Sequence, residues 1–280
     1  MPPSPMDAVF AALAALNASW RVEIGRPSGP GWIAGDDLRD AGSGPFHALL
    51  RAIGERDRTS DRRTIAASFA VRFGWASALA IAPYLQHRCV PDVSLGNVSF
   101  RFSPSTFFDR PAIHEGRGIV VDGDPRSTHP ALSTVPSEAA LLRALRDVLV
   151  AQGEPVVEAL HRWSGFARRG TWGMLTSSWA SHFTGLCATP DDQRPVLPLL
   201  ERFFAGTDVV AAMQPRMHAV TCGAVTHLFQ RRASCCRWYL LPQGELCASC
   251  PLVPQEARVQ RNAAWMQAQR DRQGPGPGHG

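Results

Sequence analysis

The chain has 280 residues, enough for one large domain or two modest ones with a hydrophobic core. Hydrophobic residues make up 45% and charged residues 19%, a composition typical of a globular protein and not of a disordered one. All 29 basic residues are arginine, and the absence of lysine excludes enzymes that need a Schiff-base lysine, a pyridoxal-phosphate lysine or a Walker-type phosphate loop.

The net charge is +5, but no run of five basic residues occurs, so we expect no nucleic-acid partner. The apolar stretch Ala8–Leu16 follows Asp7 and no positive charge, which does not predict a signal peptide. Thr64–Leu85 is also apolar, but it contains Arg72, and we predict a buried core helix there and not a membrane span. These features favour a cytoplasmic protein, where thiols stay reduced and clustered cysteines indicate metal binding before disulfides.

Apolar periodicity predicts mostly helices. In chain order, we expect a short amphipathic helix within residues 1–20, a loop over Arg26–Gly44, helices over Phe46–Arg56 and Thr64–Ala82 (ending before Pro83), strands over Val98–Phe102 and Gly118–Val121, and helices over Ser137–Gln152, from Pro155 onward, over Trp172–Phe183, over Pro195–Phe204 and over Glu256–Arg272. The predicted fold class is therefore α+β and predominantly α-helical, a helical body with one small antiparallel sheet and a C-terminal segment that contains clustered cysteines. We predict three parts: a mainly helical body over 1–229, a cysteine segment over 230–256, and a charged helical tail with a disordered end over 257–280.

The chain contains seven cysteines, of which three are scattered among apolar neighbours and predict buried, non-ligating thiols: Cys89, Cys187 and Cys222. The other four fall within sixteen residues and predict a metal site: Cys235, Cys236, Cys247 and Cys250.

The spacing of these four bears on the metal. Cys247–Cys250 has the form of a zinc knuckle, but the adjacent Cys235 and Cys236 would need a tight local turn to reach one ion. A two-iron cluster is a larger target that adjacent thiolates can reach more easily. The spacing therefore favours iron–sulfur over zinc, and zinc stays open. Arg231, Arg232 and Arg237 could stabilise an anionic cluster, or could be ordinary solvated residues.

The motif Cys-Cys-x10-Cys-x2-Cys, followed by Pro251 and preceded by Arg231–Ser234, resembles the C-terminal signature of the FhuF-like siderophore ferric iron reductases. The stretch Arg168–Gly173, which leads into a helix, is similar in style to the central region of that family. The resemblance covers residues 230–256 and extends more weakly over 60–256.

The resemblance implies a [2Fe–2S] cluster ligated by Cys235, Cys236, Cys247 and Cys250, with no catalytic residue beyond the cluster. It implies one-electron reduction of Fe(III) in a ferric-siderophore complex, with release of Fe(II) in the cytoplasm, by a protein that can associate loosely with the inner membrane. Because the sequence shows no dinucleotide-binding fingerprint, we expect a separate electron donor, either a ferredoxin or an NAD(P)H-dependent reductase.

We expect the ferric complex to bind at a shallow site beside Cys247–Cys250, attracted by four candidate arginines: Arg168, Arg169, Arg231 and Arg232. His218 and His227 are candidate proton donors, although structural roles are more common for such histidines. Two other readings stay open, a zinc-stapled, non-enzymatic binding protein and an iron–sulfur redox sensor. A relative of the siderophore synthetases fits poorly, because those enzymes are much longer and need an ATP site.

Overall fold

The helices surround a central apolar one in this computed structural model, which describes residues 4–103, 107–186 and 191–273. The helices are α1 (Pro5–Leu16), α2 (Gly35–Leu38), α3 (Gly44–Asp57), α4 (Arg62–Ser77), α5 (Ile81–His87), α6 (Glu138–Ser164), α7 (Arg168–Gly185), α8 (Leu197–Phe204), α9 (Val209–Ala212) and α10 (Gln255–Gln273). The strands are β1 (Glu23–Ile24), β2 (Trp32–Ala34), β3 (Cys89–Pro91), β4 (Val98–Ser103), β5 (Phe107–Ile113), β6 (Gly118–Val121), β7 (Leu132–Val135), β8 (Arg216–Cys222) and β9 (Val225–Arg231). The predicted fold class, a helix-dominated α+β protein, is confirmed.

Helix α4 lies at the centre and packs against α3, α6 and α7. It begins at Asp61, whose carboxylate accepts hydrogen bonds from the backbone N–H groups of Arg63 and Thr64. Gly74 lets α7 approach closely, because a Cβ atom at this position would lie 2.8 Å from the Ser178 hydroxyl oxygen. The position of α4 is therefore set by close backbone packing on one side and by its N-terminal cap at one end.

The helical run Arg62–His87 is long and apolar enough to cross a membrane by length and composition alone, but 72% of its most apolar window is buried inside the protein. The predicted end before Pro83 is wrong. The chain makes a tight 3₁₀ turn at Ala78–Ala80 and continues as α5, with Pro83 in its first turn. A proline is tolerated there because its missing N–H would have had no partner within the helix.

The predicted break before Pro155 is also wrong, because α6 is one continuous helix that contains this proline. An interior proline costs about 3 kcal/mol or more. The surrounding residues are tightly packed: Gly153 faces α7, where a Cβ atom would lie 2.9 Å from the Leu175 side chain, and the buried Gln152 amide donates to the Val93 carbonyl oxygen. Burial on both sides of the proline offsets its local cost.

Both predicted strands exist, as β4 and β6, but they lie in different sheets. The first sheet has the order β1-β5-β4-β2 and the second the order β3-β6-β7. The pairs β1–β5 and β6–β7 are parallel, so one small antiparallel sheet is replaced by two mixed ones. Strand β2 and helix α2 lie in the predicted loop Arg26–Gly44. Strands of two or three residues, such as β1, β2 and β3, carry too little alternation to be recognised from sequence.

A third sheet, the hairpin β8–β9, was not predicted, and it leads directly into the cysteine segment. Seven residue pairs form its antiparallel register, and Gly223 adopts a φ of +63° in the two-residue turn. Gln230 on β9 donates to the Ser177 carbonyl and the Ser181 hydroxyl of α7, at 3.0 and 2.6 Å. The hairpin therefore fixes where the cysteine segment begins.

The predicted tail helix is confirmed as α10, which packs against β8. Cys89 is buried as predicted, whereas Cys222 is only half-buried at the end of β8 and its thiol donates to Gln267 at 3.2 Å. The end predicted to be disordered was 273–280, but Gln273 is the last residue of α10. Residues 274–280 and Cys187 lie outside the described residues. The three-part division of the chain stays a prediction.

His182 on α7 predicts how stability depends on pH. Burial lowers the pKa of this imidazole from 6.5 to about 4. Its contribution to the free energy of unfolding is therefore complete above pH 6.5 and is lost as the pH falls toward 4, because only the unfolded chain takes up the proton readily. Between pH 7.5 and 5, we expect His182→Gln to lose about 2 kcal/mol less stability than the unsubstituted protein. Urea unfolding followed by circular dichroism measures this difference.

His47 is the matched control, because its side chain is exposed on α3. His47→Gln should keep the pH dependence of the unsubstituted protein. Equal pH slopes for all three proteins would contradict the role assigned to His182.

Candidate metal centre

The four clustered cysteines lie between β9 and α10, and their thiols meet in two pairs. The Cys236 thiol interacts with the Cys247 thiol, and the Cys235 thiol interacts with the Cys250 thiol. Within residues 4–103, 107–186 and 191–273, no three His, Cys, Asp or Glu side chains lie close enough to share one metal ion. Two neighbouring pairs of soft sulfur donors fit a two-iron cluster held by four thiolates better than they fit a single tetrahedral ion.

The adjacent cysteines make the tight turn that their spacing requires. Arg237 adopts a left-handed φ of +59°, and its backbone N–H donates to the Cys235 sulfur at 3.4 Å. Its guanidinium donates to the Thr64 hydroxyl at 3.0 Å and pairs with Asp61 at 2.9 Å. The hydrogen bond from Thr64, with a further contribution from Arg237, lowers the pKa of Asp61. The turn is thus attached to the N-terminus of α4.

A second contact attaches the same turn to α7. The Ser234 hydroxyl donates to the Gly170 carbonyl oxygen at 2.7 Å. One helical turn further on, a Cβ atom at Gly173 would lie 2.7 Å from the Ser234 Cβ. Both glycines belong to the stretch Arg168–Gly173 on which part of the resemblance rests. Only a glycine at 173 lets the cysteine segment lie directly on α7.

Cys247 and Cys250 lie in a second turn, in which the Cys250 N–H donates to the Cys247 carbonyl at 3.0 Å. The Arg232 N–H donates to the Ser249 carbonyl at 2.9 Å, which brings this turn alongside the start of the segment. The loop between Cys236 and Cys247 closes at Gly244, where a Cβ atom would lie 1.8 Å from the Trp238 carbonyl oxygen. The ten residues of this loop therefore fold back toward the cysteines.

Arg258 on α10 supports the second turn from inside. Its side chain is only 1% exposed, and its guanidinium donates to the Cys250 carbonyl at 3.1 Å, to the Val253 carbonyl, and to Gln255 at 2.6 Å. Desolvation lowers its pKa, but an arginine stays charged at neutral pH. Sequence reasoning missed this residue because it treated 257–280 as a charged tail. The sequence gives no signal for it, because the buried face that it forms with Asn262 and Met266, at four-residue spacing, contains only one apolar residue.

Positive charge surrounds the sulfurs. The interaction with the Cys236 thiol lowers the pKa of the Cys247 thiol, and Arg232 favours the same thiolate. The same interaction and burial raise the pKa of Cys236. Arg72, on α4, also interacts electrostatically with Cys236 and was not a predicted site residue. The site is thus prepared for negative charge before any metal is considered.

Of the other predicted site residues, some lie at the cysteine site and some do not. Arg231 belongs to the site, because it donates to the Pro251 carbonyl at 3.2 Å, whereas Arg168 pairs with Glu158 at 2.7 Å. His218 lies 3.1 Å from the Asn262 amide, and the ring of His227 lies 6.3 Å from that of Trp265. Both histidines therefore contact α10, as structural residues would. Arg169 is exposed on α7.

Comparison with protein families agrees with this geometry. Residues 232–252 match the family model described as the FhuF 2Fe-2S C-terminal domain, and no curated protein is significantly similar to the chain. The protein thus has a C-terminal iron–sulfur domain, and its cofactor is a [2Fe–2S] cluster. More particularly, residues 232–252 are similar to the FhuF type of this domain, as the cysteine motif led us to expect. The match covers the two turns and the loop between them but ends before Arg258.

Arg258 provides a test of how the second turn is held. Replacing it with leucine removes the charged donor to the Cys250 and Val253 carbonyls, of which the first keeps its bond from the Val253 N–H. Each hydrogen bond to a charged group is worth about 1.5–3 kcal/mol. We expect Arg258→Leu to lower the free energy of unfolding by about 2–4 kcal/mol and to speed cluster loss to a chelator. Unfolding curves and visible absorbance measure these two effects.

Arg272→Leu is the control, because Arg272 is exposed near the end of the same helix. It should behave like the unsubstituted protein in both measurements. If Arg258→Leu also did so, the carbonyl contacts would not be what holds the turn.

Proposed function

We propose that Cys235, Cys236, Cys247 and Cys250 ligate the [2Fe–2S] cluster, and that the protein is a siderophore ferric iron reductase. The observation that supports this most directly is the pairing of the four thiols within the segment that matches the FhuF 2Fe-2S model. In this proposal no side chain acts as a general acid or base, and the catalytic centre is the cluster alone.

When bound, a [2Fe–2S] cluster supplies one electron at a time. The charged residues of this chain determine the reduction potential of the cluster. Reduction adds negative charge, so the positive charges of Arg232, Arg258 and Arg72 favour the reduced state and raise the reduction potential. The partly buried setting of the sulfurs strengthens these interactions, because a low dielectric weakens screening.

The substrate in this proposal is Fe(III) held by the oxygen atoms of a siderophore. Hard oxygen donors bind Fe(III) tightly and bind Fe(II), with its lower charge density, far less well. One electron passed to the metal therefore converts a locked complex into a labile one, and Fe(II) is released in the cytoplasm. A ferredoxin or an NAD(P)H-dependent reductase returns the electron, and loose association with the inner membrane would place the protein where imported complexes arrive.

The ligand set can be tested by spectroscopy. Anaerobically purified protein should contain about two irons and two sulfides per chain. Cys247→Ser should lose or shift the visible absorbance and the electron paramagnetic resonance signal, because an oxygen ligand replaces a thiolate. Cys222→Ser is the matched control, since its partly exposed thiol lies on β8 and contacts α10, and it should leave both spectra unchanged.

An unchanged spectrum for Cys247→Ser would refute its assignment as a ligand. Colourless protein with one zinc per chain would favour a zinc-stapled binding protein.

The substrate is tested separately from the cofactor. Dithionite-reduced protein, freed of excess dithionite, should be reoxidised by a ferric siderophore while a colorimetric Fe(II) chelator develops colour in equal amount. The matching gallium(III) complex should cause no reoxidation, because gallium(III) does not accept an electron under these conditions. A cluster that reduces and reoxidises with other oxidants but not with ferric siderophores would fit a redox sensor and would remove the reductase proposal.

A further inference from the structure

A cavity of about 420 Å³ lies between α1, α4, α7 and the strands β4 and β5. Aromatic side chains form much of its wall, namely Trp20, Trp75, Phe100 and Phe108. Its volume falls within the range of about 300–1,000 Å³ that small-molecule sites occupy. Its apolar wall with a few polar groups is also the usual composition of a ligand site.

Two arginines line this cavity, and one of them is firmly held. Arg72 donates to the Ser68 hydroxyl at 2.9 Å and to the Ser68 carbonyl at 3.0 Å. Ser68 in turn donates to the buried carboxylate of Asp57 at 2.7 Å, and Arg56 pairs with the other oxygen of Asp57 at 2.8 Å. This buried network fixes the Arg72 guanidinium before any ligand arrives. Arg21 contributes a second, exposed charge.

His182 provides a polar group that the protein itself does not satisfy. It lines the cavity, its ring lies 4.4 Å from the Trp75 ring, and its buried Nε2 atom has no hydrogen-bond partner among the described residues. Burial lowers its pKa to about 4, so the imidazole is neutral at pH 7. A buried polar atom without a partner is costly, and a ligand that bonds to it would remove that cost.

The cavity is connected to the cysteines along α4. Thr64, Ser68 and Arg72 follow one another at four-residue spacing and so lie on one face of the helix. Thr64 contacts Arg237 in the cysteine turn, and Arg72 interacts with the charge of Cys236. Thr64 and Arg72 are about 12 Å apart along the helix axis. A ligand beside Arg72 would therefore lie on the side of α4 that leads to the Cys235–Cys236 turn, within reach of the electrostatic interaction between Arg72 and Cys236.

We propose that this cavity binds an aryl group of an anionic iron chelator, of the catecholate or phenolate type, with its Fe(III) facing the cysteine segment. This inference rests on the proposed function and narrows its substrate class. The aromatic walls stack on an aryl ring but gain little from an aliphatic hydroxamate. Arg72 and Arg21 balance the negative charge of the complex, and His182 bonds to a phenolic or amide group. The substrate then binds near Cys236 and not at a shallow site beside Cys247–Cys250.

The test measures binding without electron transfer. The probe is the gallium(III) complex of 2,3-dihydroxybenzoate, titrated calorimetrically into the cluster-loaded protein, with the gallium(III) complex of acetohydroxamate for comparison. We expect the aryl complex to bind at least ten times more tightly than the hydroxamate complex. Trp75→Ala should weaken aryl binding at least tenfold, and Arg21→Gln should weaken it severalfold while leaving the visible spectrum of the cluster unchanged.

Each variant has a matched control. Trp265 is 48% exposed and Trp75 is 47% exposed, but Trp265 lies on α10, away from the cavity lining, so Trp265→Ala should bind normally. Arg51 is exposed on α3, and Arg51→Gln controls for the loss of one positive charge. Because Trp75 and Arg21 are both well exposed, their variants should fold.

Equal affinity for the two gallium complexes, no binding of the aryl complex, or normal binding by Trp75→Ala would each overturn the proposal. The reductase function is judged separately. Reoxidation by a ferric hydroxamate siderophore with no aryl binding would reject the cavity assignment and retain the reductase. Aryl binding without reoxidation by any ferric complex would retain the cavity assignment and reject the reductase.

Discussion

The ion pair between Arg237 and Asp61 connects the cysteine segment to the helical core. Arg237 follows the adjacent cysteines directly, and Asp61 caps the helix at the centre of the core. Both side chains are partly exposed, at 30% and 45%, and such pairs contribute only about 0–1 kcal/mol to stability. The importance of the pair is therefore positional. It determines which part of the core the Cys235–Cys236 turn faces.

The energy that holds the cysteine segment comes from other contacts. Ser234 packs against Gly170 and Gly173 of α7, and any larger residue at position 173 would be too close to the Ser234 side chain. Arg258 fills the interior of the second turn with a buried, multiply bonded guanidinium. Hydrogen bonds to charged groups are worth about 1.5–3 kcal/mol each, more than an exposed ion pair. Two turns supported from different helices thus bring together the thiols at the two ends of the cysteine segment.

Much of this could be predicted from the sequence, because the signals are local. The four cysteines lie within sixteen residues, and the long helices carry continuous apolar stripes. What could not be predicted depends on distant contacts. Asp61 and Arg237 are 176 residues apart, and Pro155 is tolerated because of packing from α7 and the loop at Val93. The cavity at Trp75 likewise draws on α1, α7 and two strands, and none of its residues has a recognisable motif.

Helix α4 contacts the cysteine turn at its first residues and forms the cavity wall further along. The cavity and the cysteine turn are linked because the charges of Arg72 and Cys236 interact, and linkage between two binding sites is reciprocal. A molecule that binds beside Arg72 changes the charge near Cys236, and a change of charge at Cys236 alters the affinity beside Arg72 by the same free energy. The oxidised and reduced protein should therefore differ in how long they retain whatever fills the cavity. A change in the charge at Cys236 would then be enough to release the ligand from the cavity, and no conformational change of α4 would be needed.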